Sequence, residues 1–222
     1  MSQKSIGIGF IGGGFITRFH IQSLIGVRNC EVLGVMSKTR SSAEESASLA
    51  RTIGVGDAEV FNTITEMVAE PSINALWICA PNFTRLEIME EIFNAIDSGK
   101  GELIGVTCEK PLGRNVKEAK KVLELTQRAG LLDGYLENQV FAPSVTRGKE
   151  IIWSRGAKAT GRPYLARAAE EHSGPHMPWF WEGELQGGGV LNDMMCHSVE
   201  EARFMLTEPG KKRDSLTPKS VN

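Results

Sequence analysis

The sequence predicts an α/β protein, a Rossmann-type doubly wound parallel sheet followed by the incomplete start of a C-terminal α/β (α+β) domain. Three observations carry this. Short apolar segments alternate with amphipathic ones through the first two thirds of the 222 residues; a glycine cluster, Gly12-Gly13-Gly14, falls where the first apolar segment gives way to a helix; and the alternation changes after Pro143. Such alternation is the pattern of βαβ units, whose parallel strands are covered on both faces and so read as short apolar runs.

The strand candidates are Ile6 to Ile11, Val32 to Met36, Ala75 to Ala80, Leu103 to Cys108 and Leu131 to Tyr135, each bounded by Gly, Pro or polar residues. Between them lie helical candidates at Phe15–Leu24, Ser42–Ile53, Arg85–Ile96 and Val116–Gln127; in the last, Val116, Ala119, Val122, Leu123 and Leu125 mostly follow helical spacing. Beyond Pro143 the expectation is a helix from Ser144 to about Trp153, a strand from Pro163 to Ala169, an aromatic loop through Trp181, and a helix from Gly189 to Leu206. The predicted division is a dinucleotide-binding domain over 1–136 and a partial substrate or oligomerisation domain over 137–222.

Composition excludes some classes. Hydrophobic residues make up 41% and charged residues 23%, ordinary values for a globular protein. A net charge of −2 gives no basic field, so nucleic acid is not an expected partner. No apolar run is long enough to cross a bilayer. Met1 to Ser5 leads straight into the first apolar segment, which reads as a strand and not as a signal peptide. Cys30, Cys79, Cys108 and Cys196 are scattered with no CxxC pair, as expected of reduced thiols in a cytoplasmic protein.

The glycine cluster has the strand-to-helix context that a dinucleotide fingerprint requires. Gly12 permits the tight turn, and Gly14 lets a pyrophosphate approach the first helical amides at Phe15 and Ile16. These four residues are candidate cofactor contacts. Thr17 stands where the fingerprint has a third small residue, and a tight turn in an unrelated α/β fold is the alternative. The second strand ends Val35-Met36-Ser37-Lys38-Thr39-Arg40 without the acid that usually accepts from the NAD ribose. Ser37, Lys38 and Arg40 suit a 2′-phosphate, so NADP is favoured over NAD, against the alternative of a solvated basic loop.

With these residues in view, the chain resembles the Gfo/Idh/MocA oxidoreductase family. The matching segments are GFIGGGFITRFH (Gly9 to His20), APN (Ala80 to Asn82), CEKPLG (Cys108 to Gly113) and GGGVLNDMMCH (Gly187 to His197). The resemblance implies that Pro81, Asn82, Glu109 and Lys110 lie beside the cofactor, and that Lys110 shares a proton with the substrate oxygen. It also implies a large open second sheet, used for homo-oligomer contacts, and a chain continuing beyond Asn222, so that a fragment is the reading here. Arg85 departs from the family's P-N-x-x-H pattern and leaves the local hydrogen bonding open.

Lys110 follows the fifth strand at its carboxyl end, where open α/β sheets bind ligands. Asp193 and His197 are four residues apart, on one face of the expected helix. Histidine moves protons near neutrality, and a carboxylate can orient it or hold a hydroxyl. Lys110, Asp193 and His197 are therefore the candidate catalytic set, with the glycines at 187–189 permitting close approach by a ligand. No third ligand is apparent, so no metal site is expected. His172 and Trp181, in a loop that also holds His176 and Trp179, are candidate substrate contacts beside Lys110, Asp193 and His197; a lid or an interface is the alternative. His20 reads equally as a locally satisfied histidine. Glu137 and Asn138, just past the last Rossmann strand, are positioned to face the pocket.

These readings converge on hydride transfer between NAD(P) and a secondary hydroxyl or ketone of a sugar, cyclitol or related polyol. The rivals are a redox-neutral glycosidase using the same cofactor and a nucleotide-binding fragment without catalysis.

Overall fold

The computed structural model describes residues 5–221; the reading of Met1 to Lys4 lies outside it. The described chain divides into two compact units. The first runs to Leu136 and takes in Glu184–Gly187; the second holds Glu137–Gly183 and the chain from Gly188 onward.

The first unit is built on six parallel strands. In chain order its elements are β1 (Ile6–Ile11), α1 (Phe15–Ser23), β2 (Cys30–Met36), α2 (Arg40–Thr52), β3 (Glu59–Phe61), α3 (Ile64–Ala69), β4 (Ala75–Ile78), α4 (Arg85–Asp97), β5 (Gly105–Glu109), α5 (Val116–Arg128) and β6 (Leu132–Leu136). The strand order is β3-β2-β1-β4-β5-β6, all parallel. The order reverses between β1 and β4, the switch point outside which open α/β sheets bind their ligands.

Period-two alternation in β1 builds the two cores. Ile8 and Phe10 point into a cluster with Ile21, Val32, Val35, Ala43 and Ala47, which packs α1 and α2 on one face. Ile11 points the other way, into Ile64, Met67, Leu76, Ile88, Met89, Ile92 and Leu125 under α3, α4 and α5. Each fully buried Ile, Leu or Phe of this kind contributes about 1.5–3 kcal/mol.

The five strands and four helices expected from the sequence form with boundaries within two residues. β3 and α3 were not expected. β3 is a three-residue edge strand paired only with β2, too short for periodicity. α3 carries a local signal all the same: Thr63 Oγ1 accepts from the Glu66 amide at 3.0 Å and Glu66 returns a carboxylate to the Asn62 amide at 3.0 Å, a capping pattern of the T-x-x-E type.

The second unit departs further from expectation. Its first helix, α6 (Pro143–Ile151), continues through a π turn at Ile152–Gly156 into α7 (Ala157–Thr160), so it overruns the expected end at Trp153. Pro163 to Ala169 is not a strand: it carries no regular secondary structure and no ladder partner among the described residues, and Tyr164 and Leu165 are exposed. An extended segment becomes a strand only when a neighbour accepts its hydrogen bonds. Residues 219–221 likewise carry no strand. After α8 (Gly183–Gln186), the helix expected over Gly189–Leu206 is two, α9 (Val190–Asp193) and α10 (Met195–Leu206), broken at Met194. Among the described residues no helix is long and apolar enough to cross a membrane.

Candidate active site

β1 ends by delivering Gly12 against the end of β4. Gly12 has φ +108°, and a Cβ there would lie 2.8 Å from the Ala80 nitrogen and the Cys79 carbonyl carbon. A Cβ on Gly13 would strike the Ser42 carbonyl at 2.6 Å, where α2 begins, whereas one on Gly14 meets nothing within 4 Å. The first two glycines therefore serve packing of the protein, and the open side of the turn is at Gly14. Gly14 is the N-cap of α1 and supplies no side-chain cap, so the amides of that first turn, Phe15 and Ile16 included, are left for another acceptor. The Phe15 ring is exposed and Ile16 packs into the core, so any ligand contact from Ile16 is through its backbone.

Thr17 explains its own departure from the fingerprint. It is fully buried, and its Oγ1 donates to the Gly12 carbonyl at 2.7 Å. Ser46 Oγ and Arg18 Nη1 both donate to the Gly13 carbonyl at 3.1 Å. Pinning these carbonyls fixes the turn. Gly12→Ala is expected to destabilise the first unit by roughly 2–4 kcal/mol, through strain at positive φ and a backbone clash. Thermal denaturation should show a midpoint several degrees lower, and dinucleotide affinity should fall with it.

At the end of β2, Ser37 is half-buried and Lys38 is exposed, and Ser37 Oγ accepts weakly from the Thr39 amide at 3.4 Å. Arg40 opens α2 and is not directed to a ligand alone: it donates to Glu44 at 3.0 Å and to Asn62 at 2.7 Å.

At the end of β4, Pro81 turns the chain, its carbonyl accepting from the Thr84 amide at 3.0 Å. Asn82 is buried; its Nδ2 donates to the Gln186 carbonyl at 2.8 Å, while its Oδ1 has no hydrogen-bond partner among the described residues. An orphaned buried carbonyl is costly, and a donor from a ligand would relieve it.

Arg85 answers the question its sequence position left open. Its guanidinium is buried at 5% exposure, and it donates through Nε to the Ala80 carbonyl at 3.0 Å and through Nη1 to the carbonyls of Glu109 and Pro111. One side chain thus joins the carboxyl ends of β4 and β5. Its burial was not legible in the sequence, because a polar residue opening a helix is ordinarily exposed.

Glu109, expected at the cofactor, is turned inward. It is 4% exposed; Oε1 lies 2.8 Å from His20 Nε2 and Oε2 accepts the Lys110 amide at 2.9 Å. Both oxygens are thus engaged by protein groups, and its place is to fix the backbone that presents Lys110. His20 is correspondingly the locally satisfied histidine, half-buried and stacked on Trp77 with ring centroids 6.0 Å apart. Lys110 is half-buried, and the Lys110–Pro111 peptide is cis.

Of the glycines at 187–189, Gly187 requires a correction, whereas a Cβ on Gly189 would meet nothing within 4 Å. Gly187 has φ +94°, and a Cβ would lie 2.3 Å from the Arg114 carbonyl oxygen. Its missing side chain makes room for the protein's own backbone and not for a ligand. The same stretch is tied down by Arg114 Nη1 donating to the Glu184 carbonyl at 2.9 Å. Arg114 is itself held by Glu118: burial pushes the Glu118 carboxyl up, but its hydrogen bonds from Arg114 outweigh this and leave it below the usual carboxylate range.

In the second unit, Asp193 ends α9 and His197 lies in the first turn of α10, so the pair spans a helix break and not one continuous face. Asp193 is half-buried and its carbonyl accepts from Cys196 Sγ at 3.1 Å. His197 is 5% exposed, and its Nδ1 lies 2.6 Å from Oε2 of Glu137, itself 3% exposed. Glu137 was singled out in the sequence by position; its tie to His197 joins residues sixty apart and left no sequence signal. The structure also supplies the third metal-ligand type that spacing did not reveal, since Glu137, Cys196 and His197 offer ligand atoms within 4.8 Å of one another. Two ligands on one tetrahedral zinc stand about 3.4 Å apart, given bonds of about 2.1 Å. At 2.6 Å the carboxylate and imidazole are closer than a shared ion would hold them.

His172 is engaged within its loop. Nδ1 accepts the Gly174 amide at 2.9 Å, which leaves the proton on Nε2, 3.1 Å from Met194 Sδ. Trp181 is 75% exposed and closes a short turn with Trp179 and Phe180, the last two stacked at 3.8 Å.

Strand order and site together define a dinucleotide-binding α/β protein. A family model described as the oxidoreductase family with NAD-binding Rossmann fold matches residues 6–134, and the GFO/IDH/MocA C-terminal domain model matches residues 155–215. The chain belongs to the Gfo/Idh/MocA oxidoreductase family. It is 28% identical to 1,5-anhydro-D-fructose reductase of Ensifer adhaerens over 90% of this chain and 56% of that one. It is 24% identical to inositol 2-dehydrogenase of Rhizobium meliloti, over 92% of this chain and 56% of that one. Among solved structures, GenD2 from gentamicin A biosynthesis in complex with NAD superposes with a TM-score of 0.77 at 26% identity, over 94% of this chain and 56% of that chain. The chain thus spans about half the length of the relatives it matches.

Proposed function

We propose that this chain carries the cofactor-binding part, and the beginning of the substrate-binding part, of an NAD(P)-dependent oxidoreductase acting on a secondary hydroxyl or ketone of a sugar, cyclitol or related polyol. One observation carries the reading. The neighbouring strands β1, β4 and β5 end, in that order, in the open glycine turn, in Asn82 with its orphaned oxygen, and in Lys110. That is the carboxyl edge of the sheet at its switch point, where a dinucleotide lies with its pyrophosphate at the first helix.

When bound, the dinucleotide supplies the hydride acceptor or donor. The protein's own residues do the rest. The amides at Gly14, Phe15 and Ile16 bind phosphate. Asn82 offers its unpaired Oδ1 to a donor on the nicotinamide side. Lys110, held by Glu109 and Arg85, shares a proton with the substrate oxygen, and His197 accepts the hydroxyl proton during oxidation. Asp193 holds a substrate hydroxyl; the orienting role falls to another carboxylate. Trp181 offers an exposed ring to a sugar face. Ser37, Lys38 and Arg40, with no carboxylate at the end of β2, favour a 2′-phosphate and hence NADP, although Arg40 would have to be shared with Glu44 and Asn62.

The experiment is incubation with NAD or NADP and a panel of cyclitols, aldoses and anhydrosugars, following absorbance of the reduced nicotinamide together with product analysis. Stoichiometric ketone and reduced cofactor support the proposal. Glycoside cleavage without net reduction would replace it with the redox-neutral reaction.

A further inference from the structure

We infer that Glu137 is a positioning residue for His197, holding the imidazole as the Nδ1-protonated tautomer so that Nε2 is the bare, proton-accepting nitrogen. The inference rests on the assignment of His197 as proton acceptor and goes beyond it by naming which nitrogen acts and what selects it.

The geometry points this way from three sides. First, Glu137 Oε2 and His197 Nδ1 are 2.6 Å apart, both in residues at least nine-tenths buried. A carboxylate oxygen and a bare nitrogen lone pair repel at that distance, whereas a proton on Nδ1 turns the same contact into attraction. Second, neither atom has another hydrogen-bond partner among the described residues. The contact is within hydrogen-bond distance although it is not formed as a hydrogen bond. Third, the carboxylate is itself held: Oε1 accepts the Gln139 amide at 2.9 Å, in the short turn Gln139–Phe141 that follows β6. The backbone thereby aims the free oxygen at the ring.

The alternative use of the same cluster is a metal. It is disfavoured by the 2.6 Å separation and by Cys196, whose thiol already donates to the Asp193 carbonyl at 3.1 Å. A buried carboxylate that fixes a histidine tautomer is a recurrent device, and loss of its charge in a protease triad gives the wrong tautomer with a large loss in turnover. Sequence spacing hides it here, because Glu137 and His197 are sixty residues apart.

The test reads the tautomer and does not depend on turnover, so it can fail while the proposed reaction stands. The uniformly nitrogen-15-labelled 222-residue chain contains four histidines. Long-range proton–nitrogen correlation spectra resolve the two ring nitrogens of each, and His197→Gln assigns the relevant pair. Near pH 8 the expected result is a protonated Nδ1 and a bare Nε2 at His197, with that tautomer about tenfold or more in excess. In Glu137→Gln, which keeps size and shape, the excess should fall about tenfold while the backbone spectrum away from the site is unchanged. A bare Nδ1 in the wild-type protein overturns the inference even if the variant does not fold. So does an unchanged tautomer ratio in a folded Glu137→Gln. Spectra that are identical with and without a metal chelator support it, and a chelator-dependent shift of the His197 nitrogens assigns the cluster to a metal and overturns it.

Discussion

On the proposed reaction, Lys110→Met is expected to lower turnover by about 10²–10⁴-fold while leaving dinucleotide affinity within about twofold, because it would remove one proton-sharing group and no phosphate contact. The basis is the way Lys110 is presented. Its amide is fixed by Glu109 Oε2, Glu109 is fixed by His20, and the carbonyls on either side of the lysine are held by Arg85. Such a lysine acts by position, so its loss should appear in kcat and little in the affinity for NAD(P)H. Steady-state kinetics with a separate fluorescence titration of the cofactor distinguish the outcomes. Unchanged turnover contradicts the assignment. Parallel loss of turnover and cofactor affinity would make Lys110 a binding residue instead.

The second large effect is structural. Arg85→Met should destabilise the first unit by about 3–5 kcal/mol, since it leaves the carbonyls of Ala80, Glu109 and Pro111 without their buried donor. Methionine fills much of the same volume, so the cost is one of lost hydrogen bonds and not of a cavity. Urea unfolding followed by circular dichroism should show a midpoint well below that of the parent, with the slope retained. A shift worth less than about 1 kcal/mol would mean that these three carbonyls find other donors. Because the same side chain joins the ends of β4 and β5, residual folded protein should also bind dinucleotide more weakly.

Much of the first unit was legible because its strands are buried on both faces and its helices carry one apolar face; both leave periodic traces. β3 escaped because Glu59-Val60-Phe61 has no room for a period, and its pairing with Gly34 to Met36 is a matter of tertiary context. Val116, counted as part of the buried face of α5, is 70% exposed at the first helical position, where the helix has not yet reached the core. The second unit was less legible for a physical reason: Pro163 to Ala169 has strand-like composition but no neighbour to complete a ladder. Motifs singled out Gly12, Asn82, Lys110 and His197, but the contacts that several of their neighbours make with the protein were not legible. Gly187 accommodates Arg114, Thr17 ties down Gly12, and Glu109 faces inward. Roles set by contacts between distant residues, such as Arg85 with β5 or Glu137 with His197, leave no periodic mark.

The central claim is that the open turn at Gly14 receives a dinucleotide. Titration of this chain with NADH and NADPH, read as quenching of tryptophan emission and transfer to the reduced nicotinamide, tests it most directly. Saturable one-to-one binding of NADPH, tighter than NADH and weakened by Gly12→Ala, is the predicted result. Tighter binding of NADH would remove only the 2′-phosphate preference. A folded chain that binds neither nucleotide would contradict the account.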